Sequence, residues 1–195
     1  FLGGNPTPTP TPPPTPACAA GTGITLQPGW NLVSLPRQPT NGAPEEVFAS
    51  LGERLLAVFA HDADNGEDPW QVYAPQAPAY VNDLTRVDAT MGLWVNVSAA
   101  CTLCCPGESP GSTPITLHVG WNLVGYPRSA PAPVAEALVS IAGKYLVVYG
   151  YRPDTPADPW RCYDVGASPG SNTLLSLDQG QGYWIYATEE CALIY

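Results

Sequence analysis

Six cysteines are the most reactive side chains in this chain: Cys18, Cys101, Cys104, Cys105, Cys162 and Cys191. An even set in a short, loop-rich sequence reads as a disulfide framework, although many connectivities are open. Cys101 and Cys191 each follow a closing apolar segment. The economical pairing is therefore Cys18 with Cys101, and Cys104 or Cys105 with Cys191, leaving the other thiol for Cys162. Loops of about 80 residues closed this way contribute on the order of 4 kcal/mol each in the chain-entropy picture. Cys101-Thr102-Leu103-Cys104 also has a zinc-ligand spacing, but no second such pair exists and His61 and His118 are remote in sequence.

The acidic loop from His61 to Asp68 offers hard oxygens, with Asp62, Asp64 and Asp68 as weak calcium candidates. Its order differs from an EF-hand loop, because Gly66 stands where a ligand is wanted, and a solvated acidic turn is the simpler reading. No other cofactor is expected. The chain has no GxSxG elbow, HExxH, P-loop or GxGxxG. Glu189 and Glu190 are adjacent, so on a strand they face opposite sides and form no acid–base pair. An enzyme is not expected.

These residues sit in a sequence that is written twice. Ile24 opens ITLQPGWNLVSLP and Ile115 opens ITLHVGWNLVGYP, an offset of 91. Pro69-Trp70 and Pro159-Trp160, Trp94 and Trp184, and Cys101 and Cys191 then keep step at an offset of 90. A period this long with several fixed points is an internal duplication. The divisions expected are an arm over 1–17, one module over 18–105 and a second over 106–195. Within each module, short strands surround one short helix. WNLVSL is apolar on both pleat faces, which suits a strand covered on both sides. Pro44, followed by Glu45 and Glu46, opens a helix whose Val47, Phe48, Leu51 and Leu55 share a side. The fold class expected is mainly β, as two tandem small sandwiches or partly open barrels, preceded by a polyproline II arm.

Six tryptophans occupy three matched pairs of positions, and matching of this kind favours core packing. Tyrosine is lopsided: Tyr73 and Tyr80 in the first module, eight in the second. An asymmetry the fold does not require marks Tyr126, Tyr149, Tyr151 and Tyr186 as a surface for a partner or glycan.

Residues 1–16 read FLGGNPTPTPTPPPTP. Proline fixes φ and restricts its predecessor, so this run suits a polyproline II rod. Phe1 and Leu2 would be an apolar plug, and Pro6, Pro8 and Pro10 the docking rod. Thr7, Thr9, Thr11 and Thr15 are candidate O-glycosylation sites.

Composition narrows the partners. The 195 residues carry 17 acidic and 7 basic side chains, a net charge of −10, with Lys144 the one lysine. Nucleic acid and anionic membrane surfaces are excluded as partners on that balance. No apolar run reaches the roughly 18 residues that span a bilayer. The chain opens at Phe1 with no leader-like segment, so a leader removed or lying outside is the expectation. Cysteines and a Pro/Thr run place the protein outside the cytoplasm, at a cell surface.

GWNLVSLP, a central PW and a terminal strand with Gly182 and Trp184 resemble repeat modules of large secreted bacterial surface proteins that carry Pro/Thr-rich linkers. The resemblance covers roughly 22–103 and 113–195, with Gly125-Tyr126 departing from Ser34-Leu35. It implies an extracellular, β-rich, noncatalytic protein. The reading is a structural subunit that assembles head to tail with copies of itself into a filament or surface layer, its arm docking on a neighbour. The alternative is a carbohydrate-binding or adhesion module of a larger secreted protein.

Overall fold

The structure, a computed structural model, describes residues 18–168 and 170–195. The arm positions named above, Phe1, Leu2, Pro6, Pro8, Pro10 and the four threonines, lie outside the described residues.

The most distinctive words of the repeat are a turn lock. Gly29 and Gly120 take φ of 90° and 101°, a region that only glycine enters at little cost. The buried Asn31 side chain accepts the Gln27 N–H at 2.8 Å and donates to the carbonyls of Gln27 and Gly29 at 2.8 and 3.0 Å. Asn122 repeats this on His118 and Gly120 at 2.8, 2.7 and 3.0 Å. Each asparagine thus satisfies backbone groups that would otherwise be stranded at the start of a strand, a loss of about 1–3 kcal/mol per group.

The first half runs β1 (Gly23–Leu26), β2 (Gly29–Val33), α1 (Pro44–Val47), β3 (Leu55–His61), β4 (Trp70–Tyr73), β5 (Leu93–Val97) and β6 (Cys101–Cys104). The second runs β7 (Ile115–Leu117), β8 (Gly120–Gly125), β9 (Ala132–Pro133), α2 (Val134–Ala137), β10 (Tyr145–Tyr151), β11 (Trp160–Asp164), β12 (Ser176–Leu177), β13 (Gly182–Ala187) and β14 (Cys191–Leu193). Strands β2-β5-β3-β4 form one antiparallel sheet and β8-β13-β10-β11 its counterpart, with small ladders β1–β6, β7–β14 and β9–β12. The protein is therefore mainly β, and the sheets do not close into barrels. Even the irregularities match, with register slips at Leu55/Ala57 and Tyr145/Val147.

Side chains alternate across each sheet. Val58, Ala60, Val95 and Val97 point to one face and are buried under β1, β6, α1 and the turn after α1. Val148, Ile185 and Ala187 do the same in the second half, beneath Leu117, Leu138, Ile141 and Leu193. The helix is shorter than its apolar pattern predicts. Pro44 starts it with Glu45 and Glu46 in the first turn, but it ends at Val47 and passes into a 3-10 turn over Ala49–Arg54. Gly52, at φ 54° and ψ −136°, breaks the helical path, so Leu55 becomes the first residue of β3. Val47, Phe48, Leu51 and Leu55 are nonetheless all buried together.

The outer edges are capped. On β4, Val72 N–H donates to Asp83 Oδ1 at 2.6 Å, and the Val72 carbonyl accepts from the N–H groups of Asp83 and Leu84. On β11, Cys162 N–H donates to Thr173 Oγ1 and Asp164 N–H to Asn172 Oδ1. Side chains and returning backbone thus occupy groups that a foreign strand would need.

The two halves meet backbone to backbone along a seam with approximate two-fold symmetry. Val33 bridges Gln181, and Val124 bridges Met91. A Cβ on Gly182 would lie 2.7 Å from the Val33 carbonyl oxygen, and one on Gly92 2.8 Å from that of Val124. The repeat departs from itself at the seam. Ser34 donates its hydroxyl to the Gln181 carbonyl and accepts the Tyr126 N–H, while its counterpart Gly125 would bring a Cβ within 3.0 Å of Ser34 Cβ.

The disulfide expectation is corrected. Cys18 pairs with Cys104, and Cys101, Cys105, Cys162 and Cys191 are free thiols. The β1–β6 register explains this: Cys104 faces Gly23 at the start of β1, whereas Cys101 faces Leu26 at its far end. Cys191 likewise faces Leu117, and Cys105 lies in the first half's core. Burial pushes the Cys105 thiol up to about 12, so it is inert as a nucleophile. No helix among the described residues is long and apolar enough to cross a membrane.

Candidate binding face

The tryptophans are not in the core. Alternation that buries Val58 and Val95 turns Phe59 and Trp94 to the opposite face, where Trp30 and Trp70 join them. Trp30, Trp70, Trp121 and Trp160 are 39–42% exposed. The second half lays out Trp121, Tyr149, Trp160 and Trp184 in the same way.

The two aromatic faces interlock across the seam. Trp94 meets Tyr151 and Trp160 at centroid distances of 5.0 and 5.9 Å. Trp184 meets His61 and Trp70 at 5.0 and 5.8 Å. Two symmetry-related clefts result. One, of about 650 Å³, is lined by Trp30, Phe59, Trp70, Trp94 and Tyr151. The other, of about 530 Å³, is lined by Trp121, Tyr149, Trp160, Trp184 and His61. Each takes four rings from its own half and a fifth, Tyr151 or His61, from the last residue of the other half's β10 or β3. Every ring pair is tilted or edge-to-face, the arrangement aromatic quadrupoles favour.

The clefts hold few ionisable groups. Burial lowers the His61 pKa, with Asp62 pulling the other way, and its Nδ1 is buried without a partner. Tyr149 is pushed up, chiefly by its hydrogen bond with Cys162. Neither shift sets an acid and a base against one another.

Of the tyrosines expected on a partner surface, Tyr149 and Tyr151 line clefts and Tyr186 packs on Trp121 at 5.2 Å beside them. Tyr126 does not join them. It is fully buried, donates to the Ala130 carbonyl at 2.9 Å and packs on Tyr195 at 5.0 Å. Tyr126, Tyr183 and Tyr195 are core fillers, and burial raises the pKa of each. The calcium candidates also separate: Asp62 Oδ1 is taken by the Asp64 N–H, and Asp64 lies 3.9 Å from His118. Among the described residues no three His, Cys, Asp or Glu side chains gather as a metal site. Phe59 is missed by sequence reasoning and His61 is weighed only as a distant zinc ligand, although their alternation with Val58 and Ala60 places them on the aromatic face.

Comparison of the chain with protein-family models, curated proteins and solved structures finds no match.

Proposed function

We propose that this chain is a noncatalytic extracellular structural subunit: two tandem β-modules that join head to tail with copies of themselves through the Pro/Thr-rich arm. One observation carries the reading, the exposed aromatic face shared by both halves. Contiguous exposed apolar surface of this kind marks an interaction site. The capped edges of β4 and β11 point the same way, since assembly by strand addition would need them open. The Cys18–Cys104 disulfide supports an oxidising compartment. A contact between unlike patches need not close into a ring, so it extends into a filament or layer.

The carbohydrate-binding alternative draws on the same indoles, which are exposed enough to stack on sugar rings. It is the weaker reading because, among the described residues, no carboxylate, amide or guanidinium side chain lines either cleft to bind a sugar's paired hydroxyls. Electron microscopy and light scattering across a concentration series test the first reading. The full chain is expected to form extended assemblies, and the chain lacking residues 1–16 to remain a folded monomer. Fibres formed without those residues overturn it.

A further inference from the structure

Resting on that assembly reading, we infer that the two aromatic clefts are sockets for the Pro6–Pro16 segment of a second copy of this chain. Three observations select this occupant. The first is charge. The chain has a net charge of −10, so the bodies of two copies repel, whereas residues 1–16 contain no charged side chain. Among the rings lining the clefts only His61 can carry a positive charge, and burial disfavours that form. An uncharged segment is the part of a second copy that enters an uncharged cleft without an electrostatic penalty.

The second is hydrogen-bond chemistry. No indole N–H among the described residues donates within the protein, and none is buried as an orphan. All six tryptophans line the two clefts, so each cleft is walled by three indoles whose N–H groups have no partner within the protein. A polyproline II segment supplies the complement, because its carbonyls make no internal bonds and its rings are preset for aromatic grooves. Pro6, Pro8, Pro10, Pro12, Pro13, Pro14 and Pro16 give such a segment here.

The third is where the arm leaves. Cys18 is tied to Cys104 on β6, and β1 and β6 cover the core face of the first sheet. The clefts open on the opposite face. Cys18 therefore lies behind the first sheet, on the side away from the clefts of its own molecule.

The test uses the synthetic peptide FLGGNPTPTPTPPPTP and the chain over 17–195, which keeps the disulfide and both hydrophobic clusters intact. Tryptophan emission reports on the clefts alone. Saturable peptide binding with an emission shift is expected, and a peptide with alanine at each proline should not bind. Trp30→Ala with Trp121→Ala, checked for an unchanged fold by circular dichroism, should weaken binding roughly thirtyfold or more, as for buried aromatic anchors. Binding that ignores the double variant overturns the inference. So does an emission response to soluble β-glucan or xylan oligosaccharides with none to the peptide. Sedimentation of the full chain separates the two readings. Assembly without peptide binding overturns the socket and leaves self-assembly standing. Peptide binding in the clefts by a full chain that stays monomeric well above the peptide's Kd overturns both the second copy as occupant and self-assembly.

Discussion

The two halves share a strand order, a turn lock and a ring layout, yet they fill their cores differently. Where the first half has Leu35 and Cys105 in the core beneath its sheet, the second places Tyr126 against Tyr195. The first half is closed by a disulfide at Cys18–Cys104; the second has Ile194 at the position matching Cys104 and no bridge. The comparison teaches which repeated residues are constrained. Gly29 and Asn31 are kept because backbone geometry admits few substitutes, while filler residues drift in compensating sets.

Removing the disulfide should have the largest effect. Cys18→Ser opens a loop with a sequence separation of 86, and about 4 kcal/mol of stability should go with it. Urea unfolding with the two halves followed separately should show the loss in the first half; an equal loss in both would break the distinction. Next comes the second half's substitute for that bridge. Tyr195→Cys, which copies the first half's residue, leaves a cavity beside Tyr126 and should cost about 3 kcal/mol. Combined with Tyr126→Leu, the two losses should fall short of their sum, since the rings lean on one another.

Gly125→Ser sharpens the comparison at the seam. Its Cβ would sit 2.5 Å from the Ala89 carbonyl oxygen and 3.0 Å from Ser34 Cβ, so about 2 kcal/mol of overpacking is expected. Unchanged stability would mean that the seam is looser than these distances. The smallest effect is a pH dependence confined to one cleft. Burial holds the folded His61 pKa below its ordinary 6.5, so the folded state binds fewer protons than the unfolded. Its contribution is intact above pH 6.5, falls as pH drops below that value, and levels off beneath the depressed folded pKa. His61→Tyr, copying Tyr151, should flatten that slope in thermal melts between pH 7.5 and 5.

Much of the fold is legible from residues alone, because the repeat fixes equivalent elements and Pro28-Gly29 marks the first turn. The site is less so. Alternation assigns Trp94 and Val95 to opposite faces but does not say which face is the core. That is settled by β1, β6 and α1, elements distant in sequence, choosing the valine side. Six cysteines likewise leave their pairing open until the β1–β6 register puts Cys104 beside Gly23. Tyr126 was misleading for a related reason. Its place among the second half's surplus tyrosines suggested a surface, but the Ala130 carbonyl supplies its hydroxyl with an interior partner.

The Ser34 and Gly125 pairing has a genetic consequence. A hydroxymethyl on one side and a hydrogen on the other make left and right pieces that fit each other better than either fits itself. Split at the segment between them, the fragments would recognise one another by mutual exclusion.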